Sequence, residues 1–230
     1  MIDSNFNMKE MEKACIFDLD GVIVDTAKYH FVAWRHLANS LGFDFTEKDN
    51  EKLKGVSRID SLNLILKWGG MNFSDKIKTD LTIQKNEDYL TYIQKMDESE
   101  ILPNVVNILE QIKKKTNYKI GLGSASKNAK LILEQVGLIE YFDFIVDGSM
   151  VENGKPHPEG FLMAASEMGV LPENCIVFED APKGVEAALA AKMFVVGIGS
   201  EEDLGDAHFV MADFSKTTFE EIEEKLLALV

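Results

Sequence analysis

The chain has 230 residues, of which 46% are hydrophobic and 27% charged, and its formal net charge is -15. This length allows one domain or one domain with an insertion, and the composition excludes fibrous and disordered classes. The negative charge argues against nucleic acid or an anionic membrane as a partner, because either would repel a protein of the same sign. An anionic small substrate would need a locally basic pocket.

The first residues, up to about 11, form a polar stretch without the basic start and apolar centre of a secretory signal. We expect a loose extension here, with Met8 and Met11 as alternative starts. Cys15 and Cys175 lie in apolar runs without metal-type spacing, which favours buried free thiols. The chain also lacks the run of about 18 apolar residues that a membrane helix needs. These features predict an unexported protein in a reducing cytoplasm.

An apolar run that starts at Lys13 ends in Asp18-Leu19-Asp20-Gly21. A strand points alternate side chains to one face, so these two carboxylates would repel each other unless a cation, a shared proton or a strand end separates them. Gly21 supplies such an end, because glycine adopts backbone conformations that other residues resist. The alternative is a turn whose acidic residues cap the next helix, and this segment alone does not decide between the two.

From residue 26 to residue 97 the chain contains no convincing strand, and apolar residues recur at helical spacing, as at Phe31 and Trp34. The pattern predicts a small bundle of amphipathic helices. Because strands are predicted before and after this block, we expect residues 26–97 to form an inserted helical cap domain. Its hinges are expected near residue 25 and at 98–103.

From about residue 118 onward, short apolar runs alternate with helical patterns. Strands are predicted near residues 118–124, 144–147, 176–180, 194–198 and 209–211, and helices near 126–137, 158–169, 181–191 and from 218. This alternation is typical of a parallel sheet covered by helices on both faces. Together with the first strand, it predicts an α/β fold with a doubly wound, Rossmann-like parallel sheet, formed by residues 1–25 and 98–230.

Polar residues stand at or beyond the carboxyl ends of four predicted strands, which is where open parallel sheets bind ligands. They are Asp18 and Asp20, the segment Ser124 to Asn128, Gly154-Lys155, and Glu179-Asp180. Taken singly, Ser124 could be a helix cap, Lys155 a solvated loop lysine and Glu179 part of a turn. Together they predict one crevice that contains a nucleophile, hydroxyl donors, an ammonium group and metal-binding carboxylates.

The order and spacing of these groups resemble the haloacid dehalogenase superfamily of phosphotransferases, in the arrangement with a helical cap after the first motif. The segment from Asp18 to Thr26 matches the first motif of that superfamily, Ser124 the second, Lys155 the third and Glu179-Asp180 the fourth. Within the superfamily the chain is most similar to the β-phosphoglucomutase group. That finer resemblance rests on Leu53 to Arg58 with Ser61, on Ser124 to Asn128, and on His30 and Trp34.

The resemblance implies a reaction at the sheet edge. Asp18 would be the nucleophile that forms an aspartyl-phosphate, and Asp20 the general acid and base. Ser124 and Lys155 would hold the transferring phosphoryl group. The implied cofactor is Mg²⁺, which prefers hard oxygen ligands. Its expected ligands are Asp18, the main-chain carbonyl of Asp20, Glu179 and Asp180.

A mutase must hold a bisphosphorylated sugar by both ends, so it needs a second phosphate site. Arg58 is predicted to bind that phosphate through two parallel hydrogen bonds, with Ser126 and Asn128 added by resemblance. The alternative for Arg58 is an ordinary surface position at a helix start. The other residues that the resemblance assigns to the sugar-phosphate site are Thr26, His30, Trp34, Gly55, Val56, Ser57, Ser61, Lys85, Ala125 and Lys127. Thr26 would also hold Asp20 away from the site while the cap is open.

The resulting hypothesis is the conversion of β-D-glucose 1-phosphate to glucose 6-phosphate through β-glucose 1,6-bisphosphate. The nearest alternative is a sugar-phosphate phosphatase of the same fold, in which water discharges Asp18. More distant alternatives are a signalling receiver phosphorylated on aspartate and a non-catalytic binding relative. A small sugar phosphate is the only expected partner, with no nucleic acid and no membrane, and the resemblance implies a monomer.

Two positions depart from common superfamily patterns. Glu159 stands where an aspartate often follows the Lys-Pro motif, and Ala181-Pro182 follows the metal-binding pair. Glu159 is expected only to start the next helix, since either acid suits a helix N-terminus. These departures leave the sugar specificity open.

Overall fold

Six parallel strands form one sheet at the centre of the protein. The computed structural model describes residues 12–228, so the expected N-terminal extension lies outside the described residues. The strands are β1 (Lys13–Phe17), β2 (Tyr118–Gly123), β3 (Phe144–Val146), β4 (Cys175–Glu179), β5 (Phe194–Ile198) and β6 (Phe209–Met211), in the spatial order β3-β2-β1-β4-β5-β6. The predicted α/β fold with a doubly wound parallel sheet is confirmed.

Ten helices accompany the sheet within the described part of the chain. They are α1 (Ala27–Ser40), α2 (Glu47–Glu51), α3 (Arg58–Trp68), α4 (Asp75–Ile93), α5 (Val105–Lys113), α6 (Ala129–Gln135), α7 (Glu159–Glu167), α8 (Pro182–Ala190), α9 (Glu201–Leu204) and α10 (Phe219–Leu227). None of residues 26–97, all of which the structure describes, lies in a strand. The sequence did not predict α5 and α9.

Strand β1 lies in the middle of the sheet because its side chains suit burial on both faces. Residues 14–17 are fully buried, and the strand pairs in parallel with β2 on one side and β4 on the other. Continuous apolar runs of this kind are typical of strands covered on both faces. The carboxyl end of β1 therefore lies beside the carboxyl ends of β2 and β4.

Helices α1 to α4 form an insertion with its own hydrophobic core. That core includes Trp34, Leu37, Leu62, Ile65 and Leu66, which are at most 3% exposed. These five residues come from α1 and α3, which present apolar residues at helical spacing on one face. The insertion can therefore bury apolar surface without help from the sheet.

The chain enters and leaves the insertion at neighbouring points. Val24 and Ile101 form an antiparallel bridge, and the Leu102 N–H donates a hydrogen bond to the Ile23 carbonyl at 2.9 Å. The Asp25 N–H donates to the Glu100 carbonyl at 3.3 Å. These contacts lie at the predicted hinge positions.

The cysteines and the helices bear on the location of the protein. Cys15 and Cys175 are buried, free thiols, as predicted. Among the helices of residues 12–228, none combines the length and the apolar character that crossing a membrane would require.

Candidate active site

Residues at the ends of β1 and β4 meet around the buried ammonium group of Lys155, which comes from the loop after β3. Lys155 Nζ lies 2.5 Å from Asp18 Oδ1 and 2.6 Å from Glu179 Oε2. The side chains of Lys155 and Asp18 are each 9% exposed, and that of Glu179 is 1% exposed. Asp18 is fixed at the end of β1 by its own N–H, which donates to the Phe178 carbonyl of β4 at 2.9 Å. The sheet thus brings together the groups that the sequence placed at its edge.

Two glycines make room for the acidic side chains. Gly21 has a φ of 82°, and a Cβ there would lie 2.1 Å from Asp180 Oδ2. A Cβ at Gly184, in the first turn of α8, would lie 2.0 Å from Glu179 Cδ. Any other residue would collide with a carboxylate at either position, and at Gly21 it would also be strained. The backbone at Gly21 therefore packs directly against Asp180, and the backbone at Gly184 packs directly against Glu179.

The carboxylates of Asp18, Glu179 and Asp180 each offer one oxygen atom to a cluster, and these three atoms lie within 4.8 Å of one another. Burial raises the pKa of both Glu179 and Asp180, and repulsion from Asp18 adds to the effect. Burial on its own would lower the pKa of Lys155, but the carboxylates of Asp18 and Glu179 outweigh it and raise that pKa. One lysine against three carboxylates leaves an excess of negative charge, and hard oxygen donors suit a divalent cation. The donor set fits a metal ion.

Asp20 lies next to this cluster but points elsewhere. Its carboxylate accepts a hydrogen bond from the hydroxyl of Thr26, which is fully buried just before α1. Burial raises the pKa of Asp20 to about 8, with further contributions from Asp18 and Asp180. The protonated acid is therefore available near neutral pH, which suits a general acid. The resemblance implied this contact with Thr26, and the role of Asp20 remains a prediction.

A cavity of about 570 Å³ lies between the sheet edge and the helical insertion. This volume is in the range of small-molecule binding sites. All the predicted site residues line it except Thr26, Lys155 and Glu179. Thr26 contacts Asp20, Lys155 contacts Asp18, and Glu179 contacts Lys155. The structure thus brings the predicted residues of both regions to one cavity.

The insertion contributes a buried lysine, Lys85, and a half-buried arginine, Arg58, to the cavity wall. Lys85 is 2% exposed, and its Nζ lies 2.9 Å from His30 Nδ1 and 4.7 Å from the centroid of the Trp34 ring. Burial lowers the pKa of Lys85 to about 7, with a further contribution from Arg58. Burial also lowers the pKa of His30 well below its usual range, so its neutral ring accepts a hydrogen bond from Lys85. Burial lowers the pKa of Arg58 too, and no ion pair within residues 12–228 includes this side chain.

A row of small polar side chains follows β2. The Ser124 hydroxyl accepts a hydrogen bond from the Ser126 N–H at 3.1 Å, and the Ser126 hydroxyl accepts one from the Asn128 N–H at 3.2 Å. Asn128 Nδ2 then donates to Asn86 Oδ1 of α4 at 3.0 Å. This last bond joins the segment after β2 to the insertion. The sequence did not predict Asn86, because nothing in its local pattern indicates a partner so distant along the chain.

Lys54 is a further cavity residue to which the sequence assigned no role. Its Nζ lies 2.9 Å from Glu51 Oε2 and 3.8 Å from Asp180 Oδ2, so a cation of the insertion faces the acidic cluster. Asn50 and Leu53 line the same part of the cavity. Leu53 and Lys54 belong to the segment on which the finer resemblance rests, and that was the available signal.

The fold, the nucleophile-type aspartate and the acidic cluster define an enzyme of the haloacid dehalogenase type. The model of the haloacid dehalogenase-like hydrolases matches residues 12–192, and the chain belongs to that family. The resemblance inferred from the motifs is confirmed at this level.

More specific similarities are to sugar-phosphate enzymes. The chain is 42% identical over 215 residues to a β-phosphoglucomutase of Bacillus subtilis, a match that covers 93% of this chain and 95% of the relative. A crystal structure of β-phosphoglucomutase from Clostridium difficile superposes with a TM-score of 0.91 at 45% identity, covering 95% of this chain and 98% of the other. A fructose-1-phosphate phosphatase of Escherichia coli is 34% identical over 191 residues, covering 83% of this chain and 98% of the relative.

Proposed function

We propose that this enzyme interconverts β-D-glucose 1-phosphate and glucose 6-phosphate through an aspartyl-phosphate at Asp18 and a β-glucose 1,6-bisphosphate intermediate. The observation that carries the proposal is one cavity with Asp18 at one side and, at the other, the buried Lys85 and the half-buried Arg58. A hexose with phosphates at two positions can present one to each side. The identity of 42% to a β-phosphoglucomutase supports this function.

The acidic cluster would bind Mg²⁺. The carboxylates of Asp18, Glu179 and Asp180 and the main-chain carbonyl of Asp20 are the proposed ligands, and their hard oxygen atoms and excess negative charge fit this ion. When bound, Mg²⁺ supplies positive charge that offsets the repulsion between a carboxylate nucleophile and a phosphate dianion.

The transfer step uses the groups at the sheet edge. A carboxylate oxygen of Asp18 attacks the phosphorus, the bond from phosphorus to the sugar oxygen breaks, and protonated Asp20 gives its proton to that oxygen. Lys155 and Ser124 bind the equatorial phosphoryl oxygens. In the second half-reaction, ionised Asp20 takes a proton from the other sugar hydroxyl, whose oxygen attacks the aspartyl-phosphate and regenerates Asp18.

The non-reacting phosphate is held at the insertion side. Arg58 is the first residue of α3, and its guanidinium can bind phosphate oxygens in pairs. Ser126 and Asn128 complete this site from the sheet side, and the pair Lys85 and His30 orients the sugar phosphate. Arg58 is half-buried and has no acidic partner among the described residues. A bound phosphate would supply the negative charge and the hydrogen-bond acceptors for its guanidinium.

We further propose that residues 26–97 act as a cap over the core formed by 1–25 and 98–230. Asp20 would leave Thr26 and turn toward the substrate as the cap closes, which couples proton transfer to closure. The buried free thiols of Cys15 and Cys175 support the cytoplasm as the expected compartment, and a monomer is the expected state.

The decisive experiment follows two products at once. Purified protein is supplied with Mg²⁺, β-glucose 1-phosphate and a trace of glucose 1,6-bisphosphate, and glucose 6-phosphate and free phosphate are both measured. We expect the isomer to form in large excess over phosphate. Phosphate without the isomer would establish the phosphatase alternative, which the 34% identity to a fructose-1-phosphate phosphatase favours as second candidate.

A further inference from the structure

Glu159, the first residue of α7, does more than start a helix. Its Oε1 accepts a hydrogen bond from the Glu152 N–H at 2.8 Å. Its Oε2 accepts from the Asn153 N–H at 3.1 Å and from Asn153 Nδ2 at 2.9 Å. The bond from the Glu152 N–H, followed by those from Asn153, lowers the pKa of Glu159, so the carboxylate is charged when it makes these contacts. The sequence predicted the helix start and not this contact.

In the loop that Glu159 contacts, the His157 N–H donates to the Gly154 carbonyl at 3.1 Å, and His157 Nδ1 accepts from the Glu159 N–H at 3.3 Å. Residues 151–158 form neither helix nor strand, so the N–H groups of Glu152 and Asn153 find no partner in regular structure. Lys155 lies in this segment, between the two residues that Glu159 contacts and Glu159 itself. A bond that joins the ends of a loop restricts the conformations of everything between them.

Lys155 must be restricted because its ammonium group contacts two carboxylates at once. Its Nζ must lie between Asp18 and Glu179, at 2.5 and 2.6 Å from their oxygen atoms. The same Nζ lies 4.7 Å from the ring centroid of Phe161, a buried residue of α7. Helix α7 therefore acts on Lys155 twice, through the Phe161 ring beside the ammonium group and through the Glu159 carboxylate on the loop backbone.

The same loop forms part of the cavity wall. Val151, Glu152 and Gly154 line the cavity, and a Cβ at Gly154 would lie 3.8 Å from Cβ of Ser57 in the insertion. Glu159 itself is not part of that wall. Its effect on a bound substrate must therefore pass through the loop.

We propose that Glu159 is a positioning residue for phosphoryl transfer, whose carboxylate holds the loop at 151–156 in the shape that places Lys155 between Asp18 and Glu179. The inference rests on the proposed function, because that function makes Lys155 a ligand of the transferring phosphoryl group. It adds a residue that touches neither the substrate nor the nucleophile.

The test compares Glu159→Gln with two other variants. Glutamine keeps the size of the side chain but turns one acceptor oxygen into an NH₂ group that faces a backbone N–H. Because small misplacements of catalytic groups are costly, we expect kcat to fall roughly tenfold. The KM for β-glucose 1-phosphate should change much less, since the Arg58 side of the cavity is intact. Glu159→Asp keeps both acceptor oxygens and should restore part of kcat.

Hydrogen exchange measured by mass spectrometry gives a readout that does not depend on activity. Amides of residues 151–155 should exchange faster in Glu159→Gln, and those of α10 should not change. The matched control is Glu220→Gln, which removes the same charge from the first turn of α10, where the residue is exposed. This control should leave both kcat and loop exchange unchanged.

Three results would overturn the proposal: loop exchange that does not change in Glu159→Gln, faster exchange with an unchanged kcat, or an equal loss of kcat in Glu220→Gln. If the wild-type protein releases phosphate without forming the isomer, the mutase function fails separately. The same comparison is then made on phosphate release, since Lys155 would hold the transferring group in either reaction. A wild-type protein with neither activity would overturn both proposals.

Discussion

The two sides of the cavity differ in how their positively charged side chains are paired. At the sheet edge, the Lys155 ammonium lies between the carboxylates of Asp18 and Glu179, so opposite charges are in direct contact. In the insertion, Lys85 donates to the neutral ring of His30 and lies over an aromatic face, and no ion pair among the described residues includes Lys85 or Arg58.

The pKa values record this difference. Carboxylates raise the pKa of Lys155 in spite of its burial, whereas burial lowers the pKa of Lys85 to about 7. A paired charge is held in place before the substrate arrives, while a buried cation without an acidic partner is stabilised when an anion enters. Under the proposed function, the sheet edge would carry out the phosphoryl transfer and the insertion would recognise the second phosphate.

Removing the nucleophile from the sheet edge should have the largest effect. Asp18→Asn leaves no carboxylate to accept the phosphoryl group, and we expect the isomerisation rate to fall by at least about 10⁴-fold. The rate is measured as glucose 6-phosphate formed from β-glucose 1-phosphate. Asp206→Asn, an exposed substitution with the same charge change, should keep the full rate. Isomerisation that survives in Asp18→Asn would remove Asp18 from its role.

Asp20→Asn tests the proton separately from the phosphoryl group. The variant cannot protonate the leaving sugar oxygen, so we expect isomerisation to fall about 10² to 10⁴-fold. Release of acetate in the first turnover, when acetyl phosphate phosphorylates Asp18, should fall much less, because acetate is a stable carboxylate leaving group that needs no proton. The ratio of the two rates is the measurement, and an equal loss in both would contradict the acid-base assignment.

Arg58→Ala tests recognition at the insertion. Loss of a charged hydrogen-bonding group costs about 1.5 to 3 kcal/mol, so kcat/KM for β-glucose 1-phosphate should fall roughly 10 to 150-fold. Acetyl phosphate has no second phosphate, and its hydrolysis should be nearly unchanged. Arg58→Lys should be intermediate, since lysine keeps the charge but not the paired hydrogen bonds. Equal losses on both substrates would show that Arg58 does not hold the distal phosphate.

The smallest expected effect is on stability. Lys85→Met replaces a buried cation by an apolar side chain of similar length, and the free energy of unfolding at pH 6 should rise by about 1 to 2 kcal/mol. The pKa of Lys85 is about 7 in the folded protein, and the ordinary value is 10.5. Between pH 7 and pH 10.5, Lys85 is therefore deprotonated in the folded state and protonated in the unfolded state. Wild-type stability from this group therefore rises with pH across that window.

The gain from Lys85→Met should accordingly be full below about pH 7 and shrink toward pH 10.5. Urea unfolding at pH 6 and pH 9.5 measures it. Lys76→Met on the exposed face of α4 is the control and should show no such trend. A gain in the free energy of unfolding that does not depend on pH would mean that burial does not destabilise the charged form of Lys85.

The sheet could be predicted from the sequence because its central strands are continuous apolar runs that end in charged residues. Strands β1 and β4 are of this kind, and they carry Asp18 and Glu179 at their ends. Helix α5 was missed although Val105, Ile108 and Ile112 follow helical spacing and are buried, so the signal was present. Helix α9 has four residues, too few for a periodic pattern.

The candidate site could be predicted as a set of residue types and not as a set of contacts. The motifs indicate that Lys155 and Asp20 belong to the site. That Lys85 meets His30, or that Glu159 reaches back to the loop before Lys155, depends on how helices pack and on side-chain rotamers. Such contacts join residues whose separation along the chain has no local signature. For Glu159 the residue type alone suggested only a helix start.

The bridge between Val24 and Ile101 has a consequence for how the protein could be altered. The chain leaves and re-enters the core at adjacent points. For the connectivity of the sheet, the insertion is therefore equivalent to a short turn. The entropy of closing a loop grows only slowly with its length, and here the ends are already tied together. A different helical module spliced between these two positions would therefore keep the path of the chain into and out of the sheet, provided that it replaced the core contacts of Ala33, Tyr89 and Ile93.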